Sequence, residues 1–572
     1  MEQVVISERV DCIPLLLNTI IKMGIPEIVD QTIPIHKNWT GLSPGYTMAV
    51  WLTHLLYNGD HTLSRIESWA EERINVLSAI TGKPINSRDF SDDRLGNILE
   101  KLSDPEIWDT IETNLNDRII RVYDLNSSVV RIDCTTVNSY AVVSKDGLIQ
   151  FGISKDRADL PQIKIPLAIL DPYGLPLVIS TVKGNCADDP QYIPTMHKVR
   201  RSIQKTGLLY VGDCKMCAIA IRADTVRYGD FYLCPLSEVS YPISELDKNI
   251  LKFSQNDGNL KPIVREYADG ETREVALAFE ETAEINCKID DEVITWQERR
   301  IFTKSIAHAE VMVESLNKRI TTCEEKLNKL NNHGRGHKPP KTFEEAVERA
   351  NRIIEKSNLK GIVTCSVKVE EQVSSKENST GKSSRKSITP RITVIPEVDK
   401  LVYEQKLRTV GWRVFVTNQS PEILPIEDVV LMYRNQFIIE DIFHRIKGKS
   451  ISIQPLYLHR HDRIDGLVKF VSVAVRILIC IETAVRDALK KTPEQVAGIY
   501  PYLPKKVVQN LRAEQILRAF KGITVTIVAT GKDITVYCNK PSKLQSQLLR
   551  LLGFEQTMFD DITTKVGYLV RR

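Results

Sequence analysis

Residues 129–234 constrain the fold more tightly than any other part of the chain. Val129-Val130-Arg131-Ile132-Asp133 is a short β-branched run, and residues 163–170 are almost continuously apolar over strand length. Further strands are predicted at 148–151, 177–182, 208–213 and 231–234, with helices from Asp189-Pro190 to Lys205 and over 215–228. A group of strands followed by alternating helices and strands predicts a mixed α/β sheet. Asp133 ends one of these runs and Asp213 ends another. A carboxylate closing a buried strand is unusual unless it faces a site. In open α/β sheets, ligands sit outside the carboxyl ends of the strands. Each Asp also has an ordinary reading as a turn or cap residue; Asp213 would cap the helix that follows it.

The rest of the chain organises around this block. Residues 1–125 read as a helical domain, with helices over 46–57, 61–76 and 92–102. The first two are joined at Asn58-Gly59-Asp60, so they form either a helix-turn-helix that touches DNA or a plain helical bundle. Residues 236–410 interrupt the sheet pattern. They carry antiparallel strands at 274–280 and 293–302, charged helices over 307–331 and 342–358, a basic loop over 333–341 and a Ser/Lys-rich loop over 374–387. A strand over 413–416 returns the chain to the core. A long buried helix follows over 461–490, then a tail with helices over 505–521 and 544–552 and a hairpin over 524–538.

Bulk properties leave the partner open. The 572 residues carry a net charge of +4, so any phosphate-binding surface must come from local clustering. Eleven cysteines at irregular spacing fit a reducing compartment, and the lone Cys214-x-x-Cys217 reads as zinc or redox chemistry or as ordinary packing. The most apolar stretch, 467–481, is interrupted by Lys469 and Arg476, so a buried helix is expected rather than a membrane span. No signal peptide or nucleotide-binding G-x-x-x-x-G-K-S/T loop is visible, and a cytoplasmic location is expected, nucleoid-associated when bound to DNA.

A third carboxylate comes from residues 433–447, Tyr-Arg-Asn-Gln-Phe-Ile-Ile-Glu-Asp-Ile-Phe-His-Arg-Ile-Lys, which reads as one amphipathic helix. Tyr433, Gln436, Glu440 and Lys447 are spaced by 3, 4 and 7 residues and fall on one face. Asp441, the competing acid, is rotated about 100° away. Three carboxylates from distant segments would hold Mg²⁺ or Mn²⁺, hard cations that take oxygen ligands.

These residues resemble the DDE transposases of bacterial insertion sequences, in the superfamily with a Y-(2)-R-(3)-E-(6)-K signature. Tyr433, Glu440 and Lys447 match, with Gln436 in place of Arg; Arg434 or Arg445 would compensate. Asp133-Cys134-Thr135 is similar to the family's D-(1)-T motif. Gly152-Ile153-Ser154-Lys155-Asp156 with Pro161-Gln162 is similar to its G-x-S-K-D…P-Q motif. Tyr210-Val211-Gly212-Asp213 is similar to the strand carrying the second acid.

The resemblance implies an α/β fold: an RNase H-like catalytic core with an N-terminal helical domain and a β-rich insertion domain. The core would span 126–235 and 411–490, the insertion 236–410, and a tail over 491–572 would serve dimerisation or DNA contact. Asp133, Asp213 and Glu440 would be catalytic and hold two Mg²⁺ or Mn²⁺ ions. Tyr433, Arg434, Gln436, Lys447, Lys164 and Lys155 would contact DNA phosphates; Lys215 is a weaker candidate, and His459, His461 and Arg463 read as DNA contacts or structure. Trp296 or Trp412 would stack a flipped base. The partners implied are double-stranded DNA, as element ends and target, and a second copy of the chain on that DNA. The expected activity is cleavage at element ends followed by attack of the 3′-hydroxyl on target DNA. A metal-dependent nuclease without strand transfer, and an inactive DNA-binding regulator, remain as alternatives.

Overall fold

The computed structural model describes residues 3–154, 157–256, 258–267, 270–332, 338–375, 386–492, 494–531 and 533–571, with backbone alone over 372–375 and 386–389. The chain divides into two compact units. The first takes residues 1–234, 286–296 and 432–572; the second takes 235–285 and 297–431.

The first unit is built on a mixed sheet whose strands lie in the order Leu175–Ile179, Gln162–Leu170, Val129–Asn138, Leu209–Val211, Phe231–Pro235. In chain order this is 3-2-1-4-5. The first three strands pair antiparallel, and the last two run parallel to the Val129–Asn138 strand. Every residue of the Gln162–Leu170 and Leu175–Ile179 strands is buried, so the apolar run in the sequence marks the interior of the sheet. Two strand expectations change. Asp133 lies inside its strand, because residues 134–138 go on pairing with 162–166 after the parallel partner stops at Val211. The strand expected over 148–151 reduces to one bridge, Gln150 with Gln162.

The helix His461–Lys491 is the spine of this unit, and nearly all of it from Ile464 to Val485 is buried. Its two charged interruptions are ion-paired: Lys469 Nζ lies 2.7 Å from Asp465, and Arg476 Nη2 lies 3.1 Å from the buried Glu112. Gly466 lets this helix meet the backbone of Asp92–Ser103; a Cβ there would sit 2.0 Å from the Leu99 carbonyl oxygen. Among the described residues, no helix is long and apolar enough to cross a membrane.

The N-terminal helices pack on this spine. Pro44–Asn58 is buried on nearly all sides, and Trp51 stacks on Phe470 at 4.0 Å. Enclosed in this way, Pro44–Asn58 has no free face of its own for a DNA groove. The helix expected over 61–76 is broken into Ile66–Glu71 and Ile74–Thr81. The first strand, Gln3–Arg9, was not expected. It pairs antiparallel with Thr524–Thr530, which forms a hairpin with Asp533–Cys538. In the tail, the first helix is only Ala513–Ala519, and an additional helix covers Met558–Arg571.

The second unit is β-rich with two long helices. Its strands include Lys261–Glu266, most of Thr272–Ile289 and Glu292–Ser305, and Trp412–Thr417, which pairs antiparallel with residues 299–304. That pairing groups residues 411–431 with the insertion, whereas the expected boundary lay at 410. The tip of the long hairpin, 286–296, belongs to the first unit. A second hairpin, Val363–Ser375 with Lys386–Val398, packs on helices Ile306–Lys329 and Phe343–Lys356 through a cluster that includes Leu316, Ile320, Ala350 and Val394. The Ser/Lys-rich stretch expected as a loop therefore has its two ends in strands, and its middle, 376–385, lies outside the described residues.

Candidate active site

Asp133 and Asp213 reach the same level of the sheet. The parallel register pairs Arg131 with Val211, so each Asp stands two residues beyond that pair on neighbouring strands. Both are half-buried. Asp133 Oδ1 accepts from its own strand, from Cys134 N at 2.7 Å. Asp213 Oδ1 accepts from the Tyr192 hydroxyl at 2.7 Å and from Lys215 N at 2.8 Å; it closes the turn after its strand, while the helix expected from 215 begins at Ile219 with Ala218 as its N-cap.

The surroundings show that the two acids act on the same neighbours. Burial pushes the Tyr192 phenol well above its ordinary range, and the charges of Asp213 and Asp133 push it in the same direction. Burial likewise raises the Cys134 thiol, with Asp188, Asp133 and Asp213 adding to the effect and Lys164 opposing it. Tyr192 and Cys134 therefore stay protonated at neutral pH, one as a hydrogen-bond donor and the other as a neutral thiol. Lys164 is not an open phosphate contact. It is 8% exposed, its Nζ lies 2.5 Å from Asp188, and it also donates to the Cys186 carbonyl. Lys155 lies outside the described residues. Lys215 is exposed and lies 3.9 Å from Asp189.

The segment that carries the third acid is not one helix. It is Ile426–Arg434, a turn at Asn435-Gln436, then Phe437–Lys447. Arg131 Nη2 donates to the Met432 carbonyl at 2.5 Å, and Gln436 N turns back to Tyr433 O at 3.1 Å. That i−3 bond tightens the backbone and ends the first helix. The face expected to join Tyr433, Gln436, Glu440 and Lys447 is therefore interrupted, and only Glu440 and Lys447 share a helix. Gln436 occupies the N-cap position of the second helix, and its Oε1 is buried without a hydrogen-bond partner among the described residues.

Successive side chains of a strand alternate faces, so Arg131 and Asp133 point the same way. Through Arg131, the 432–437 turn sits over the face that carries Asp133. Glu440 is exposed, and its neighbours Ile439, Ile442, Phe443 and Ile446 are buried. Asp441 is committed elsewhere, 2.8 Å from Arg512 and 3.9 Å from Arg445. Arg445 is buried against Glu482 and Glu514, so it does not stand in for the missing arginine at 436. Among the described residues, no group of three His, Cys, Asp or Glu side chains is close enough to hold a metal ion. Asp133 and Asp213 thus act on the same neighbours, Tyr192 and Cys134, and Glu440 stands on the helix after the Arg131-held turn, with no three-acid cluster formed among the described residues. The pair still suits Mg²⁺, which is commonly held by one or two carboxylates plus waters and substrate phosphates.

A family model described as a transposase DDE domain matches residues 150–474. The chain belongs to the DDE transposase family. The matched stretch contains Asp213 and Glu440 and starts after Asp133. A second model, a domain of unknown function (DUF4277), matches residues 5–113. No curated protein matches the chain. Among solved structures, a cryo-EM structure of the piggyBac transposase synaptic complex with hairpin DNA is similar at 8% identity. It covers 96% of this chain and 82% of that one, with a TM-score of 0.35.

Other candidates within this DDE transposase have structural tasks. Trp296 is 7% exposed and donates from Nε1 to the Tyr232 hydroxyl at 2.8 Å. Trp412 packs edge-on to Phe279 at 5.6 Å in a cluster with Phe253 and Phe302. Trp296 offers no free ring for a base, and Trp412 is held in this aromatic cluster. His461 Nε2 accepts from Leu148 N at 3.4 Å. The sequence reading missed Tyr192 and Asp188, which lie before the second acid. Asp188-Asp189-Pro190 at a helix start was the available signal, but it marks a cap as readily as a site.

Proposed function

We propose that the chain is a transposase that cleaves DNA at the ends of its element and joins the freed 3′-hydroxyl to target DNA. The observation that carries this reading is the parallel register that sets Asp133 and Asp213 each two residues beyond the Arg131–Val211 pair, in a chain with a DDE transposase domain. The 3-2-1-4-5 strand order, with the second strand antiparallel, is that of an RNase H-like core. Asp133, Asp213 and Glu440 would hold Mg²⁺ or Mn²⁺, two ions in the active complex. Bound there, the ions would supply an activated water or 3′-hydroxyl and stabilisation of the leaving oxygen.

The chain's own residues do the positioning. Tyr192 keeps its proton and fixes one oxygen of Asp213. Arg131 fixes the turn before the Glu440 helix. Tyr433, Arg434, Gln436 and Lys447 flank Glu440 in sequence and would orient the phosphates on either side of the scissile bond. Lys155 would take the same role. Lys164, held by Asp188, would act through the charge it brings near Cys134. The active assembly would be a dimer on paired ends.

Strand cleavage and joining on a labelled fragment carrying the element's end, with Mg²⁺, test this reading. Wild type should give both products and Glu440→Gln neither. Cleavage without joining would identify a nuclease. The absence of a three-acid cluster among the described residues is what a DNA-binding regulator without strand chemistry would also show. DNA binding with no product from wild type in Mg²⁺ or Mn²⁺ would establish that alternative.

A further inference from the structure

A pocket of about 550 Å³ opens in the first unit, where the N-terminal strand, the end of Pro44–Asn58 and the C-terminal region meet just beyond the Glu440 helix. Six of its lining residues are charged: Arg9, Asp11, Lys449, Glu514, Arg518 and Lys521. The acids are already satisfied. Asp11 is 4% exposed and accepts from Arg9 Nε at 2.7 Å, Tyr57 Oη at 2.8 Å and Gly522 N at 2.6 Å. Glu514 accepts from Ser450 Oγ at 2.9 Å and Arg445 Nη2 at 3.3 Å. Lys449, Arg518 and Lys521 are exposed, and among the described residues none has a carboxylate at ion-pair distance. Three uncompensated cations therefore converge on one cavity.

The rim is also built. Gly59 caps Pro44–Asn58 with φ +65°, and a Cβ there would lie 2.4 Å from the Lys449 carbonyl oxygen. The turn and the Lys449 backbone are thus in direct contact, which fixes the root of the Lys449 side chain. Lys449 follows Lys447, the last residue of the Glu440 helix, by two positions.

We propose that this pocket binds a phosphate of the DNA backbone, with Lys449, Arg518 and Lys521 as its donors. This rests on the transposase reading and extends it to a second grip on DNA, outside the Asp133–Asp213 site. Arg518 suits bidentate contact with phosphate oxygens, and the two lysines act as point charges. Such contacts set register and affinity without reading sequence. Because the pocket borders the end of the Glu440 helix, a phosphate held there also restrains the helix that carries the third acid.

Binding of the full-length protein to a short duplex of arbitrary sequence, measured across salt concentration, provides the test. Each phosphate contact contributes about 0.9 to the slope of log affinity against log salt. The triple variant Lys449→Gln, Arg518→Gln, Lys521→Gln should lose about two to three units of that slope. Lysine acetylation of wild type, read by mass spectrometry, should show Lys449 and Lys521 protected by the duplex and not by inorganic phosphate at equal phosphate concentration. Equal protection by inorganic phosphate would overturn the proposal in favour of a free-phosphate site. Unchanged slope and no protection, with wild type still bound to DNA, would overturn it and leave the transposase reading standing. A wild type that binds no duplex at any salt concentration would overturn both.

Discussion

Tyr192 and His54 show how single buried groups tie this protein's chemistry to its packing. The Tyr192 hydroxyl holds Asp213 Oδ1 at 2.7 Å, and burial keeps it protonated. Outer partners of metal ligands typically contribute 10–100-fold to affinity or activity. Tyr192→Phe should therefore weaken Mn²⁺ binding by about that factor, read by titration of the ion, while the protein stays folded. His54 is 1% exposed, lies edge-on to Trp69 at 5.2 Å, and its Nδ1 has no partner among the described residues. Burial lowers its pKa from 6.5 to about 4; Arg73 and Arg65 push the same way and Asp60 opposes. The folded state therefore stays neutral while the unfolded chain takes up a proton below pH 6.5, so stability falls as pH drops from 6.5 towards 4. Between pH 7 and 5 the loss from this group should be about 2 kcal/mol. Urea unfolding at the two pH values, compared with His54→Gln, measures it; an equal acid loss in the variant would assign the effect to other groups.

At the scale of elements, the Glu440 helix is positioned by charges on its far side. Arg445 donates to the 3% exposed Glu482 on the long helix, and Glu482 also accepts from Ala513 N at 2.9 Å and Arg486 Nη2 at 3.1 Å. One carboxylate thus joins Phe437–Lys447, His461–Lys491 and Ala513–Ala519. Removing one partner of a buried pair costs about 3–5 kcal/mol, because the other charge is left without compensation. Glu482→Ala should lower the urea midpoint accordingly and reduce cleavage by releasing the Glu440 helix. A fully stable variant would show that the three helices are held by apolar packing alone. The same network engages Asp441, adjacent to Glu440, through Arg445 and Arg512, which favours Glu440 as the proposed third acid.

At the scale of the molecule, the N-terminal helices and the DDE domain share one core. Trp51 stacks on Phe470, Gly466 meets the Leu99 backbone, and Arg476 is paired with Glu112. Deleting residues 1–125 should therefore expose the apolar flank of His461–Lys491 and give an aggregated product. Light scattering and near-ultraviolet circular dichroism of the truncated chain would check this, and a monomeric, cooperatively folding product would show two separable cores.

The local pattern of the sequence determined the sheet and the identity of its acids. Buried strands carry continuous apolar runs, so residues 162–170 and 209–211 could be read directly, and Asp133 and Asp213 stood out against that background. The long helix was legible from its predominantly apolar middle, 467–481, despite the interruptions at Lys469 and Arg476. Only the tertiary structure decided the rest. The break at Asn435-Gln436 depends on Arg131 reaching the Met432 carbonyl from a distant strand, which no helical periodicity can reveal. The strand Gln3–Arg9 was hidden because its exposed residues show no alternation and its partner lies near the other end of the chain. Lys164 looked available in sequence, but Asp188 engages it in the fold. Sequence spacing fixes which residues can share an element; long-range contacts fix which of those residues remain free to act.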